Sequence, residues 1–222
     1  MTETQTQAAI IQQLLELQAI QVKPDAPFTY ASGIKSPIYT DLRMTISKPA
    51  LRKQIATGLS ELIRQFYPTA TVIGGVATAG IPHAAWVAEE LELPLIYVRS
   101  KPKDHGAGKQ IEGTLQAADQ VVLIDDLIST GGSVLKAGKA VRQTSAQLLG
   151  VASIFSYQLP DAHQNFAAED TQLHSLIDYH QLIDYQLIDY LATQQQLTPA
   201  QLDSARTWHQ DPWQWGATTT IK

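Results

Sequence analysis

Val121-Val122-Leu123-Ile124-Asp125-Asp126-Leu127-Ile128-Ser129-Thr130-Gly131-Gly132-Ser133 is the stretch whose reading decides the fold. Four apolar, mostly β-branched residues describe a strand buried on both faces, and the polar residues that arrive after Ile124 describe its end at the carboxyl edge of a parallel sheet. The small-residue loop 129–133 follows, and Val134, Leu135, Ala137, Ala140 and Val141 then recur with helical spacing. A glycine-bearing loop between a strand and a helix N-terminus cradles phosphate: glycines let backbone N–H groups approach an anion, and the helix dipole favours negative charge. Asp125 and Asp126 offer acceptors for sugar hydroxyls, so the pattern predicts a ribose-phosphate site.

No Gly-Lys-Ser/Thr follows the glycines and no Gly-x-Gly-x-x-Gly occurs, which excludes a Walker loop and a dinucleotide fingerprint. The full string closely resembles the phosphoribosyl pyrophosphate signature of the type I phosphoribosyltransferases. That resemblance implies an α/β fold with a central, mostly parallel sheet flanked by helices. It also implies that Asp125 and Asp126 meet the ribose hydroxyls while Leu127, Ile128, Ser129, Thr130, Gly131, Gly132 and Ser133 hold the 5′-phosphate.

The 222 residues, 44% of them apolar and 17% charged, suffice for one well-buried core, so one domain spanning 1–222 is expected. A net charge of −5 argues against nucleic acid or an anionic membrane as a main partner. Cysteine is absent, which excludes thiolate catalysis and zinc–thiolate sites. The N-terminus lacks the basic and apolar regions of a signal peptide, and no run reaches about 18 apolar residues. A soluble, cytoplasmic protein is expected.

A helix over about 6–18 carries Ile10, Ile11, Leu14, Leu15 and Leu17 on one side. The aromatic-rich run from Phe28 to Arg43 describes two extended segments joined by a Ser-Gly turn. Ser47-Lys48-Pro49 opens a helix with a capping hydroxyl and a core stripe of Leu51, Ile55, Leu59, Leu62 and Phe66. Thr71-Val72-Ile73 is a central strand running into a glycine-rich turn, Gly74 to Gly80, before a helix over 82–91. By the resemblance that turn faces pyrophosphate, with Thr78, Ala79 and Gly80 closest. His83, one turn into the helix, reads as a packed or capping residue.

Leu95-Ile96-Tyr97-Val98 forms the next strand, and the segment 99–113 after it is long, basic and without strand or helix periodicity. Arg99, Lys101, Lys103 and Lys109 stand out in an acidic chain and suit a clamp for a polyanion. The Arg-x-Lys-x-Lys-Asp-His-Gly order resembles the mobile catalytic loop of the orotate phosphoribosyltransferases, which the purine enzymes lack. The hood, residues 1–45, is similar to the base-covering segment of the same family. This resemblance implies orotate and phosphoribosyl pyrophosphate as substrates and Mg²⁺ as cofactor, held mainly by substrate with no protein ligand set assigned. It implies a catalytic set of Arg99, Lys101, Lys103, His105, Asp125 and Asp126, with Lys35 and Tyr39 at the base. It also implies a homodimer in which loop 99–113 reaches the partner's site. A purine-type transferase, a non-catalytic sensor of phosphoribosyl pyrophosphate and a structural protein are the alternatives.

Some family members carry lysines at positions corresponding to Ala31, Ala79 and Ser100. Those members meet the orotate carboxylate with an arginine after the strand that here spans about 149–158, where this chain has none. Ser129, neighbouring backbone N–H groups and Lys35 remain as candidates. Past Pro160 a helix over 162–168 and a strand over 173–177 complete the sheet, followed by three copies of Leu-Ile-Asp-Tyr at 176–179, 182–185 and 187–190. Spacings of six and five match no solenoid period, so a local duplication is expected. A helix starts at Thr198-Pro199, with Trp208, Trp213 and Trp215 expected to pack it against the domain. His174, His180 and His209 form no metal-ligand pattern.

Overall fold

The structure is a computed structural model that describes residues 3–30, 32–101, 109–182 and 198–215. Its centre is a six-stranded sheet. In chain order the strands are β5 (Val72–Val76), β6 (Leu95–Val98), β7 (Ile111–Glu112), β8 (Gln120–Ile128), β9 (Gln147–Ser156) and β10 (Gln172–Asp178), and their spatial order is β10-β9-β8-β5-β6-β7. All pairings are parallel except β6 with β7. The chain leaves β5 in one direction to β6 and β7, then returns to its other side to lay down β8, β9 and β10. The ends of β5 and β8 therefore flank a topological switch point, where open α/β sheets bind ligands.

Helices α3 (Gly80–Leu91), α4 (Gly132–Arg142) and α5 (Pro160–Ala168) make the crossovers, and α1 (Glu3–Glu16) and α2 (Pro49–Phe66) complete the layers. Two apolar clusters cover the two faces of the sheet: one gathers α1, α2 and α3 residues such as Ile10, Leu14, Ile55, Leu59 and Val87, the other Val134, Val141 and Phe166 with Val121 and Leu123. Val121 to Ile124 alternate between these clusters and are all fully buried, which is why every one of them is apolar.

The hood consists of two small antiparallel pairs, β1 (Ile20–Val22) with β4 (Ile38–Thr40) and β2 (Phe28–Thr29) with β3 (Lys35–Ser36). Gly33 turns the second hairpin at φ +91°, with its N–H donating to the Tyr30 carbonyl. Trp208, on the helix Pro199–Trp208, is fully buried and donates Nε1–H to the Lys35 carbonyl at 2.7 Å, so the C-terminal part fastens the hood from behind. That helix opens with a capping box between Thr198 and Gln201. Trp215 donates to the Ser204 carbonyl, whereas Trp213 is half-exposed and reaches Asp161.

Four local expectations are corrected. β8 does not end at Ile124. Its ladder with β5 stops there, but pairing with β9 continues through Asp125↔Ser153 to Ile128↔Ser156, so the acid pair occupies a step in the sheet edge. Gly74 and Gly75 belong to β5 rather than to a turn: a Cβ at Gly74 would meet Leu123 at 2.6 Å, and one at Gly75 would meet the Ile81 backbone at 2.8 Å, so glycine lets β8 and α3 close on the strand. Ser47 does not cap α2, because its hydroxyl donates to the Met44 carbonyl and Lys48 is the N-cap. Phe66 lies past the core, 41% exposed, and stacks on His174 at 3.8 Å.

Segment 99–113 returns through a short strand: β7 pairs with β6, and Arg99 and Gln110 exchange backbone and side-chain hydrogen bonds. Lys103 and His105 lie outside the described residues, as do Leu-Ile-Asp-Tyr at 187–190 and all but Leu182 of the copy at 182–185. The first copy closes β10 and opens a four-residue helix at Tyr179, with Leu176, Ile177 and Tyr179 buried.

Candidate active site

A cleft of ≈ 570 Å³ opens between the carboxyl ends of β5 and β8 and the hood. Asp126, Leu127, Ser129 and Thr130 line its sheet side, Ala79 lies at one end, and Tyr39, Asp41 and Arg43 line its hood side. The structure thus brings together residues of the hood, the 74–80 turn (through Ala79) and the 121–133 signature, whereas no described residue of 99–113 lines the cleft.

The sheet side is built from burial. Asp125 is only 9% exposed, and Asp126 donates its own backbone N–H to the Asp125 carboxylate at 3.0 Å. Burial, and then the neighbouring Asp126 carboxylate, hold Asp125 well above the usual carboxylate range, and burial raises Asp126 as well. Gly80 packs directly on the backbone of Ile124 and Asp125, leaving no room for a side chain. This close approach, after the Ala77–Thr78 cis peptide bond, sets the expected pyrophosphate turn against the acid pair.

Beyond the acids the chain turns at Gly131, φ +80°, where a Cβ would strike the Phe166 ring. Asn165 donates to the Thr130 carbonyl at 2.9 Å and ties the loop to α5. No side chain caps the start of α4, so its first N–H groups, with the exposed Gly132 and Ser133, are available to an anion. Ile128 differs from its neighbours: its side chain is buried in the core with Val134 and Phe166, and only its backbone belongs to the loop.

The hood side is built from half-buried, mutually paired groups with the exposed Arg43 at their edge. Arg43 donates Nε–H and Nη2–H to the two Asp41 oxygens at 2.6 and 2.7 Å, and Tyr39 stacks on Phe28 with centroids 5.2 Å apart. The guanidinium holds the Asp41 carboxyl below its usual range. Asp41, Arg43, Thr40 and Tyr157 also line the cleft, although no motif in the sequence marks them. The available signal was an Asp-x-Arg immediately after an aromatic strand, a spacing that permits a bidentate pair once Asp41 caps the following 3₁₀ turn. The buried Ser129 Oγ on this cleft has no hydrogen-bond partner among the described residues, and the Tyr157 hydroxyl is buried beside Thr40 and Tyr30. Burial pushes the Tyr157 hydroxyl up to about 12, so it stays neutral.

Lys35 is exposed on β3 and is not on the cleft wall, Arg99 faces Glu112 at 3.8 Å, and Lys101 is exposed at the base of the loop. His83 is buried against Trp86, and neither ring nitrogen has a hydrogen-bond partner among the described residues, as a packed residue would be. No cluster of three or more metal-ligating side chains occurs among the described residues. The adjacent carboxylates fit a Mg²⁺ ion that keeps most of its shell on substrate oxygens and water, and do not form a protein cage.

A switch-point cleft lined by Asp126, the start of a small-residue loop and an aromatic hood is consistent with a phosphoribosyltransferase, and the phosphoribosyl transferase domain profile matches residues 45–178. The chain is 56% identical over 207 residues to the orotate phosphoribosyltransferase of Lactobacillus johnsonii, covering 93% of this chain and 95% of that one. It is also 56% identical over 212 residues to the enzyme of Lactiplantibacillus plantarum, covering 95% and 97%. Among solved structures, orotate phosphoribosyltransferase from Aeropyrum pernix superposes with a TM-score of 0.71 at 26% identity, over 83% of this chain and 98% of that chain. The chain belongs to the orotate phosphoribosyltransferase family.

Proposed function

We infer that the protein transfers the phosphoribosyl group of 5-phospho-α-D-ribose 1-diphosphate to orotate, giving orotidine 5′-monophosphate and pyrophosphate in pyrimidine biosynthesis. The observation that carries this reading is the union, in one cleft, of Asp126, the Ser129–Thr130 stretch that leads into the uncapped α4, and the aromatic hood. A bond forms from the orotate ring nitrogen to C1 of the sugar as the C1–pyrophosphate bond breaks. Positive charge develops on the sugar and negative charge on the leaving group, so placement and electrostatics matter more than a nucleophilic side chain.

Asp125 and Asp126 hold the ribose hydroxyls. Leu127, Ser129, Thr130, Gly131, Gly132 and Ser133 anchor the 5′-phosphate with the backbone of Ile128, and Thr78, Ala79 and Gly80 face pyrophosphate. Tyr39 covers the base. Arg99, Lys101, Lys103 and His105 neutralise the leaving group from the 99–113 loop, which closes over the site and excludes water. Mg²⁺ supplies charge neutralisation on pyrophosphate and ribose oxygens when bound. The working form is a cytoplasmic homodimer, each loop serving the partner's site. The net charge of −5 supports small-molecule partners rather than nucleic acid or membrane, and among the described residues no helix is long and apolar enough to cross a membrane.

The test is steady-state turnover with orotate, hypoxanthine and adenine in the presence of the activated sugar and Mg²⁺. Orotate is consumed and the purines are not; purine turnover without orotate turnover would overturn the reading. Lys103→Ala depresses turnover at least tenfold with the far-UV spectrum unchanged.

A further inference from the structure

We propose that Arg43 is the side chain that reads the carboxylate of the incoming base, held in position by Asp41. The inference rests on the functional reading above and assigns a specificity-determining contact within it. Orotate carries a carboxylate that other pyrimidines lack, and recognition of a planar anion of that shape favours a guanidinium fork. Among the described residues that line the cleft, Arg43 is the one lysine or arginine. β9, Gln147 to Ser156, carries no cation, and Lys35 is exposed on the other hairpin of the hood.

The geometry suits the task. One edge of the guanidinium, Nε and Nη2, is engaged by Asp41, and Nη2 also approaches the Tyr39 hydroxyl at 3.5 Å. Nη1 makes no hydrogen bond among the described residues, and the side chain is 61% exposed, so donors remain for a second carboxylate. Asp41 is fixed in turn as the cap of the 3₁₀ helix Leu42–Ser47, accepting from the Arg43 backbone N–H at 3.2 Å. The fork is therefore oriented before the ligand arrives, which reduces the ordering cost of binding.

Placement agrees. Arg43 and Asp126 line the same cleft, one from the hood and one from the sheet. A sugar held at Asp126 leaves a base on its C1 facing the hood, where Tyr39 offers a flat face and the Arg43 guanidinium stands beside its hydroxyl.

The experiment measures kcat and KM for orotate and for the activated sugar in wild type, Arg43→Gln, Arg43→Lys and Asp41→Asn, with uracil as the base lacking the carboxylate. Arg43→Gln raises the orotate KM about tenfold or more and shrinks the preference for orotate over uracil. The sugar KM stays within about twofold, and the melting temperature is unchanged. Arg43→Lys, which keeps charge but loses the fork, falls between. Asp41→Asn raises the orotate KM severalfold with kcat nearly constant, as a positioning residue should. Unchanged orotate KM and orotate/uracil preference in Arg43→Gln overturn the assignment alone, as does a rise confined to the sugar KM, which would make Arg43 a phosphate contact. Wild type without orotate turnover overturns the functional reading and this assignment with it.

Discussion

The two sides of the cleft use the same carboxylate chemistry in opposite ways. On the sheet side Asp125 is buried and Asp126 half-buried beside it, with no cation bonded to either carboxylate among the described residues, and both are pushed toward the neutral form. On the hood side Asp41 is half-buried and bidentate to the exposed Arg43, and is pushed toward the charged form. Burial decides the first case and a partner decides the second. The sheet side thus carries a charge arrangement that opposes folding and is relieved by ligand, whereas the hood side is internally balanced and free to discriminate.

The contrast can be broken or sharpened in several places. Asp126→Asn lowers orotate turnover by about two orders of magnitude while leaving thermal stability equal or higher; retained turnover would remove the acid pair from the mechanism. Gly131→Ala forces a side chain into the Phe166 ring at a left-handed position and costs about 1–3 kcal/mol of stability, measured by urea unfolding.

His83 extends the argument to the scaffold behind the acid step. Burial lowers its pKa from 6.5 to about 4, so the native state keeps it neutral while the unfolded state protonates first on acidification. Its contribution is intact above pH 6.5 and is lost as pH falls toward 4, at about 1.4 kcal/mol per pH unit. His83→Leu flattens that slope; an unchanged slope would exonerate the residue. The smallest effect belongs to the hood: Asp41→Asn changes stability by less than about 0.5 kcal/mol, because a pair whose guanidinium is largely open to solvent contributes little to folding, although it moves the orotate KM.

Much of this division was legible in the sequence where composition and burial coincide. Val121 to Ile124 could only be a two-faced buried strand, and the small residues after it could only be a tight turn into a helix. The acid step was not legible, because continuation of β8 along β9 depends on where β5 stops. Gly74 and Gly75 resemble turn residues by type, yet their role is close approach of α3 and β8, a tertiary fact. Phe66 fits the helical stripe, but α2 outruns the core it covers. Arg43 escaped notice because its value comes from what stands across the cleft. The return strand Ile111–Glu112 is too short for any periodicity to reveal.

The most direct test measures orotate turnover and melting temperature side by side on wild type and Asp125→Asn near neutral pH. Asp125 folds at the expense of a raised pKa, so stability is lost as pH rises from the ordinary carboxylate value through its native one. The account predicts that Asp125→Asn melts higher, by a few degrees, and turns over orotate far more slowly. A variant that melts lower, or that turns over orotate at the wild-type rate, would contradict it.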